Sequence, residues 1–198
     1  MKINDVKGCV EKELQWLQRL PAPRQRAELA ELRRGIGHQP GDLPALWGRI
    51  LEQLPENCWG KNGPSEAEWA VYLALTLYAL HQQGESSISM NEKDCTLGQA
   101  VRQLAQKNTP SGQDWTESSV LRRFNALATA DSMPELAHHL RGMIQLLRAE
   151  KIRLDYPQLA AELYQFQFPE GAARVRLQWG RELYRMTVES DEQNEKEN

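Results

Sequence analysis

An all-α fold of about nine helices in two small helical bundles follows from three features of this 198-residue sequence. Helix-start signals recur: Ser65…Glu68, Thr96…Gln99, Ser132…Glu135 and Asp155…Gln158 each set a cap side chain three residues ahead of a Glu or Gln. At that spacing the two side chains bond each other's backbone N–H groups. Pro44, Pro134, Pro157 and Pro169 stand where first-turn prolines belong, because the missing N–H has no intrahelical partner there. Period-2 alternation rich in Val, Ile and Thr is nearly absent, and with it the pattern of half-buried strands.

The elements follow in order. The opening MKINDVKGCVEKELQWL lacks the uninterrupted apolar core of a secretory signal and is assigned a helix near 5–20. The helix near 23–34 closes on Arg33 and Arg34 before Gly35, since cations favour a helix C-terminus and glycine a C′ position. Pro44 opens the next, near 43–54. Ser65 caps the apolar run EWAVYLALTLYAL, near 65–83, and Thr96 caps 96–107. Near 117–129, Val120, Leu121, Phe124, Leu127 and Ala128 share one face. Near 133–150, behind Ser132, the apolar face is Leu136, Leu140, Met143, Ile144 and Leu147. Asp155 opens 156–166 and Pro169 opens 170–188.

The loop HQQGESSISMNEKDC divides the chain. An N-terminal bundle over 1–83, a linker over 84–95 and a C-terminal bundle over 96–188 are expected. The final ten residues, 189–198, hold five acids and one lysine and are expected to be disordered. That tail carries −4 of the formal −3, so residues 1–188 sum to +1, and residues 120–188 alone to +3.

Composition excludes several classes. Fractions of 40% hydrophobic and 26% charged residues suit a soluble protein, and no run approaches a membrane span. A cytoplasmic location without membrane contact is expected. Cys9, Cys58 and Cys95 are odd in number and far apart, which suits isolated reduced thiols rather than a metal site or disulfide framework. His138 and His139 are adjacent, so on a helix they point about 100° apart and chelate one metal poorly. GIGHQPG has glycines without the lysine of a phosphate loop, and neither G-x-S-x-G nor H-E-x-x-H occurs. No catalytic residue, metal or cofactor is assigned. Trp47, Trp69 and Trp179 lie among apolar neighbours and are expected in the core, Tyr156 at a cap. Trp115, in a polar loop, is the aromatic candidate for an interface.

Arginines outnumber lysines 16 to 8, a bias that suits bidentate phosphate recognition as well as surface ion pairs. Arg122 falls almost opposite the apolar face of its helix, with Arg123 at the flank. Arg141 and Arg148 form a stripe beside theirs. Arg174, Arg181 and Arg185 fall within about 40° of one another, with Arg176 apart. Exposed helices normally pair arginine with an acid at i±3 or i±4. Arg33, Arg102, Arg122, Arg123, Arg141, Arg148 and Arg176 have none, whereas Arg34 has Glu31, Arg174 has Glu170, and Arg185 has Glu182 or Glu189. Charge placement alone leaves two readings open: a phosphate-binding surface, or tertiary ion pairs.

RAELAELRRGIGHQPGDLPALW resembles the N-terminal signature of the CasB family, the small subunit of the type I-E CRISPR Cascade surveillance complex. TLGQAVRQLA, then RRFNALATADSMPELAHHLRGMIQLLRAEKIRLDYPQLAAELYQF and ARVRLQWGREL, are similar to its C-terminal core and closing basic helix. Order and spacing together carry the likeness, over roughly residues 25–188. It implies a non-catalytic, all-helical subunit that associates head-to-tail along the complex. It also implies contacts with the backbone and large subunits, crRNA, and target and non-target DNA, stabilising the R-loop. Carried over residue by residue, it assigns nucleic-acid binding to Arg33, Arg34, Arg122, Arg123, Arg141, Arg174 and Arg176. An alternative is a helical protein–protein adaptor whose arginines meet acidic partner surfaces. A DNA-binding regulator fits less well, because a recognition helix opening on Met, Pro and Glu is poorly equipped to read bases.

Overall fold

The computed structural model describes residues 2–185. The acidic stretch 189–198, and the expected pairing of Arg185 with Glu189, lie outside the described residues. Among these there are nine α-helices: α1 (Lys2–Arg19), α2 (Ala22–Arg34), α3 (Trp47–Leu51), α4 (Glu66–His81), α5 (Leu97–Lys107), α6 (Ser119–Ala128), α7 (Met133–Ala149), α8 (Tyr156–Phe166) and α9 (Pro169–Tyr184). No strand forms among the described residues, and one isolated parallel bridge joins Asn91 to Leu154.

The cap chemistry operates in varied ways. Ser65 Oγ accepts from the Glu68 N–H at 3.1 Å while Glu68 Oε2 accepts from the Ser65 N–H at 2.6 Å. Gln99 Oε1 accepts from the Thr96 N–H at 3.1 Å. At α7, Ser132 Oγ accepts from Glu135 N–H, but the Glu135 carboxylate reaches one residue further back, to the Asp131 N–H. Asp155 accepts from Gln158 N–H at 2.8 Å and, with its other oxygen, from Asp94 N–H at 2.9 Å. That carboxylate thereby starts α8 and fixes the loop before α5.

The helix expected over 43–54 is shorter. A 3-10 turn over Pro44–Leu46 leads into the five residues of α3. Leu46 and Ile50 take the buried positions, and Trp47, one residue on from Leu46 and so about 100° round, is 49% exposed. The expectation that Trp47 is a core residue is corrected by that register.

α4 is apolar on every side, and residues 70–82 are all buried, as a helix with no polar face must be. It packs against α1, α2, α7 and α8. α8 also meets α1 and α9, and α5 lies on α9. Helices from both sides of residues 84–95 contribute to one continuous hydrophobic cluster. The α5–α9 crossing is close because Gly98 has no side chain: a Cβ there would sit 2.5 Å from the Trp179 carbonyl oxygen. Two buried polar side chains find hydrogen-bond partners. His81 Nδ1 lies 2.9 Å from the Tyr156 hydroxyl, and burial holds the imidazole pKa down at about 4. Glu162, fully buried, accepts from Trp179 Nε1 at 2.7 Å, Gln158 Nε2 at 3.0 Å and Gln178 Nε2 at 3.2 Å. Burial nevertheless pushes its pKa up to about 7.

Candidate nucleic-acid interface

The seven arginines assigned from the sequence divide by what their guanidinium groups hold. Arg33, half-buried at the end of α2, donates to the Ala79 carbonyl of α4 at 3.3 Å. Its pKa is lowered by burial and by the nearby Arg148 charge. Arg148 in turn donates to Gln83 Oε1 at 2.9 Å. The C-terminal end of α4 thus anchors two arginines from different helices, one through a carbonyl and one through the amide of Gln83 just beyond it. Arg34 is exposed and spends its charge on Glu31, 3.1 Å away, as its spacing predicted.

Around α6 the acceptors are neutral as well. Arg122 is exposed and makes one long contact, 3.5 Å, to the Glu117 carbonyl. Arg123 is exposed with no bonded partner among the described residues. Arg176 crosses from α9 to the end of α6, where Nε donates to the Ala128 carbonyl and Nη2 to the Ala130 carbonyl at 3.3 Å. Its guanidinium also stands 5.1 Å from the centre of the Phe166 ring. Arg141, on α7, is exposed at the mouth of a groove between α4, α7 and the turn after α2. Arg174 is exposed beside Ile3, Tyr164 and Phe168, and the Glu170 pair open to it does not form.

A carbonyl or amide oxygen positions a guanidinium without neutralising it. Arg33, Arg122, Arg123, Arg141, Arg148, Arg174 and Arg176 therefore keep a full positive charge, since none lies within 4.0 Å of a carboxylate among the described residues. Of these, Arg148 was outside the sequence-based assignment. Its i±3/i±4 signal was the same as that of Arg141, so the information was present. The capping work of Arg33 and Arg176 was not, because their acceptors are backbone atoms 46 and 48 residues away.

The turn after α2 has its own logic. Gly35 is right-handed, with φ −67°, so it is not the left-handed C′ residue expected. Its lack of a side chain serves proximity instead: a Cβ would lie 2.7 Å from Thr76 Cγ2 and 2.8 Å from Tyr72 Oη. The left-handed residue is Gly37, at φ +88°. Tyr72 donates its hydroxyl to the Gly35 carbonyl at 2.7 Å, which ties the arginine-bearing end of α2 to α4. Trp179 is fully buried, Trp69 is half-buried at the groove, and Trp115 stacks at a tilt on Tyr184, 5.8 Å between rings. Tyr156 is fully buried, its hydroxyl 3.3 Å from the Leu77 carbonyl.

Fold and surface together define an all-helical protein that holds uncompensated arginines on rigid helices, with no three His, Cys, Asp or Glu side chains gathered for a metal among the described residues. No helix among them is long and apolar enough to cross a membrane. The family model of the CRISPR-associated protein Cse2 matches residues 28–184, and the chain belongs to that family. Among solved structures, CasB from Thermobifida fusca is 37% identical with a TM-score of 0.74, over 90% of this chain and 97% of that one. A CRISPR-associated protein of the Cse2 family from Thermus thermophilus is 29% identical (TM-score 0.65; 88% and 97% covered). CasB from M. ruber is 25% identical (TM-score 0.63; 89% and 93%). The comparison with curated protein sequences returned no match.

Proposed function

We propose that this chain is a non-catalytic small subunit of the type I-E Cascade complex, and that its uncompensated arginines hold nucleic-acid backbone to stabilise the R-loop. Family membership supports the subunit role. The observation that carries the nucleic-acid reading is the set of guanidinium groups that have only neutral protein acceptors or none. Phosphate is the ligand that satisfies them, and contact to phosphate reads no sequence, as a subunit that must accept any spacer requires. R-loop formation exchanges one duplex for another of nearly equal stability, so modest backbone contacts tip the balance. The small net charge makes the isolated subunit a weak binder, and assembly beside the backbone and large subunits, the crRNA and a second copy supplies the effective concentration.

The test is Cascade assembled with the double variant Arg122→Glu, Arg123→Glu. Complex formation read by gel filtration should be unchanged, while the R-loop on target DNA should dissociate faster and with a weaker salt dependence. Loss of assembly with unchanged DNA affinity would assign these arginines to an acidic protein partner instead.

A further inference from the structure

The groove at Arg141 is more than an extension of the charged surface. Its volume is about 450 Å3, within the roughly 300–1,000 Å3 of small-molecule sites. Its apolar side, the floor, is the half-buried Trp69 of α4, backed by the buried Tyr72, Leu73 and Leu77 and faced by Ala137 of α7. The two hydroxyls at that floor are already occupied. Tyr72 donates its hydroxyl to the Gly35 carbonyl, and the Thr76 hydroxyl donates to the Tyr72 carbonyl at 2.9 Å. At the rim, Asp42 accepts from the Gln39 N–H at 3.0 Å and sits 3.7 Å from His38 Nδ1. Arg141 has no carboxylate partner among the described residues, and His138 is exposed beside it. A ligand suited to this arrangement has a flat apolar face for the floor and a negative charge for Arg141.

We infer that the groove receives one unpaired base of a single-stranded nucleic acid, with the adjoining phosphate held by Arg141. The inference rests on the nucleic-acid reading above and narrows it, because a base locked in a duplex cannot enter. With the Tyr72 and Thr76 hydroxyls taken, the contact that remains for a planar ring is stacking on the half-buried Trp69, which every base satisfies through its π-face. Entry is therefore tolerant of sequence, in keeping with a subunit that must serve any guide.

The experiment uses the full chain at low salt and three ligands of equal charge. These are a labelled 12-nucleotide oligothymidylate, the same backbone with abasic sites throughout, and the oligothymidylate carrying one 5-iodouracil. The base-bearing strand should bind about tenfold tighter than the abasic one, in the range that one stacked base contributes. Ala137→Trp, which fills the groove, should bring its affinity down to the abasic level and leave abasic binding alone. Photocrosslinks of the iodinated strand to the unmodified protein should map to peptides holding Trp69 or His138, a readout independent of whether the variant folds. Equal binding of the two strands, or crosslinks confined to other surfaces, would overturn the groove. If Arg122→Glu with Arg123→Glu still weakened both ligands, the backbone reading would stand without it. Absence of binding by either strand at low salt would overturn the groove, and the backbone reading would then be decided in assembled Cascade by Arg122→Glu with Arg123→Glu.

Discussion

The same residue type is used in opposite ways by two sets of helices. Around α1–α3, Arg49 lies 3.1 Å from Glu28 and 3.7 Å from Glu13, with its guanidinium 3.8 Å from the Trp16 ring centre. Arg24 pairs with Glu28 and Arg34 with Glu31. Along α6, α7 and α9, Arg122, Arg123, Arg141, Arg148, Arg174 and Arg176 meet carbonyls, an amide, an aromatic face or solvent, and no carboxylate among the described residues. Arg33 belongs with the second group despite its position in α2, Arg19 and Arg26 of α1 and α2 likewise make no carboxylate pair among the described residues, and Arg153, 2.6 Å from Glu92, belongs with the first. A carboxylate partner consumes charge as it fixes geometry. A neutral partner fixes geometry and leaves the charge for a ligand. The first use is a contribution to stability; the second, on the proposed function, leaves charge available to a phosphate.

The sharpest way to test this contrast is Arg49→Ala. It leaves Glu13, only 4% exposed, without its counter-ion, and removing one partner of a buried pair costs about 3 kcal/mol. The loss should appear in urea unfolding at pH 8, above the value of about 7 to which burial raises Glu13, and should shrink at pH 5, where the carboxyl is neutral. Nucleic-acid affinity should not change. A loss of affinity equal to that of Arg123→Ala would erase the distinction between the two groups.

Buried acids extend the contrast to pH. Glu13 and Glu162 both have raised pKa values, about 7 each, so the folded state keeps protons that the unfolded chain releases near 4.5. Their contribution is fully present below that value and is lost as pH rises through 7, at up to roughly 1.4 kcal/mol per pH unit for each proton. His81 has the opposite sign: its folded value of about 4 makes stability fall as pH drops from about 6.5 to 4. Urea midpoints between pH 4.5 and 7 should therefore decline in the wild type, and Glu162→Gln should remove one proton's share of the slope. An unchanged slope would mean that the three donors to Glu162 keep it ionised.

Much of this architecture is legible before folding, for a physical reason. Caps and first-turn prolines act within one turn of helix, so Ser65, Thr96, Ser132 and Asp155 announce α4, α5, α7 and α8 by local chemistry. Trp47 was misplaced because a five-residue helix has too few turns for periodicity to settle its face. The unpaired state of Arg122 and Arg123 was readable because i±3 and i±4 neighbours are local too. The carbonyls that hold Arg33 and Arg176 were not readable, since they come from α4 and the end of α6. The groove at Arg141 likewise needs α4, α7 and the Gly35–Asp42 turn brought together, and its apolar floor looks in sequence like any buried helix.

Arg176 and Arg123 separate positioning from charge at smaller scale. Arg176→Ala removes two bonds to the end of α6 and the contact with Phe166, and should cost about 1 kcal/mol in thermal or urea unfolding. Arg123→Ala should stay within about 0.5 kcal/mol of wild type. In a salt titration of nucleic-acid binding, each variant should lower the slope of log K against log salt by about 1. If Arg176→Ala altered stability alone, its place would be with Arg49.

The smallest effect is also the one of distinctive sign. Arg34 and Glu31 form an exposed pair, with 73% and 37% of their side-chain surfaces accessible, and such pairs contribute between about 0 and 1 kcal/mol. Arg34→Ala should thus change stability little, and should weaken nucleic-acid binding less than Arg123→Ala does, because its charge is already offset. Glu31→Ala releases that guanidinium and should strengthen binding, by a factor of about two to three at low salt, with the gain gone near 0.5 M salt as screening shortens the reach of each charge. Weakened binding in Glu31→Ala would show that the carboxylate orients Arg34 toward its ligand, and Arg34 would then move from the offset group to the preorganised one.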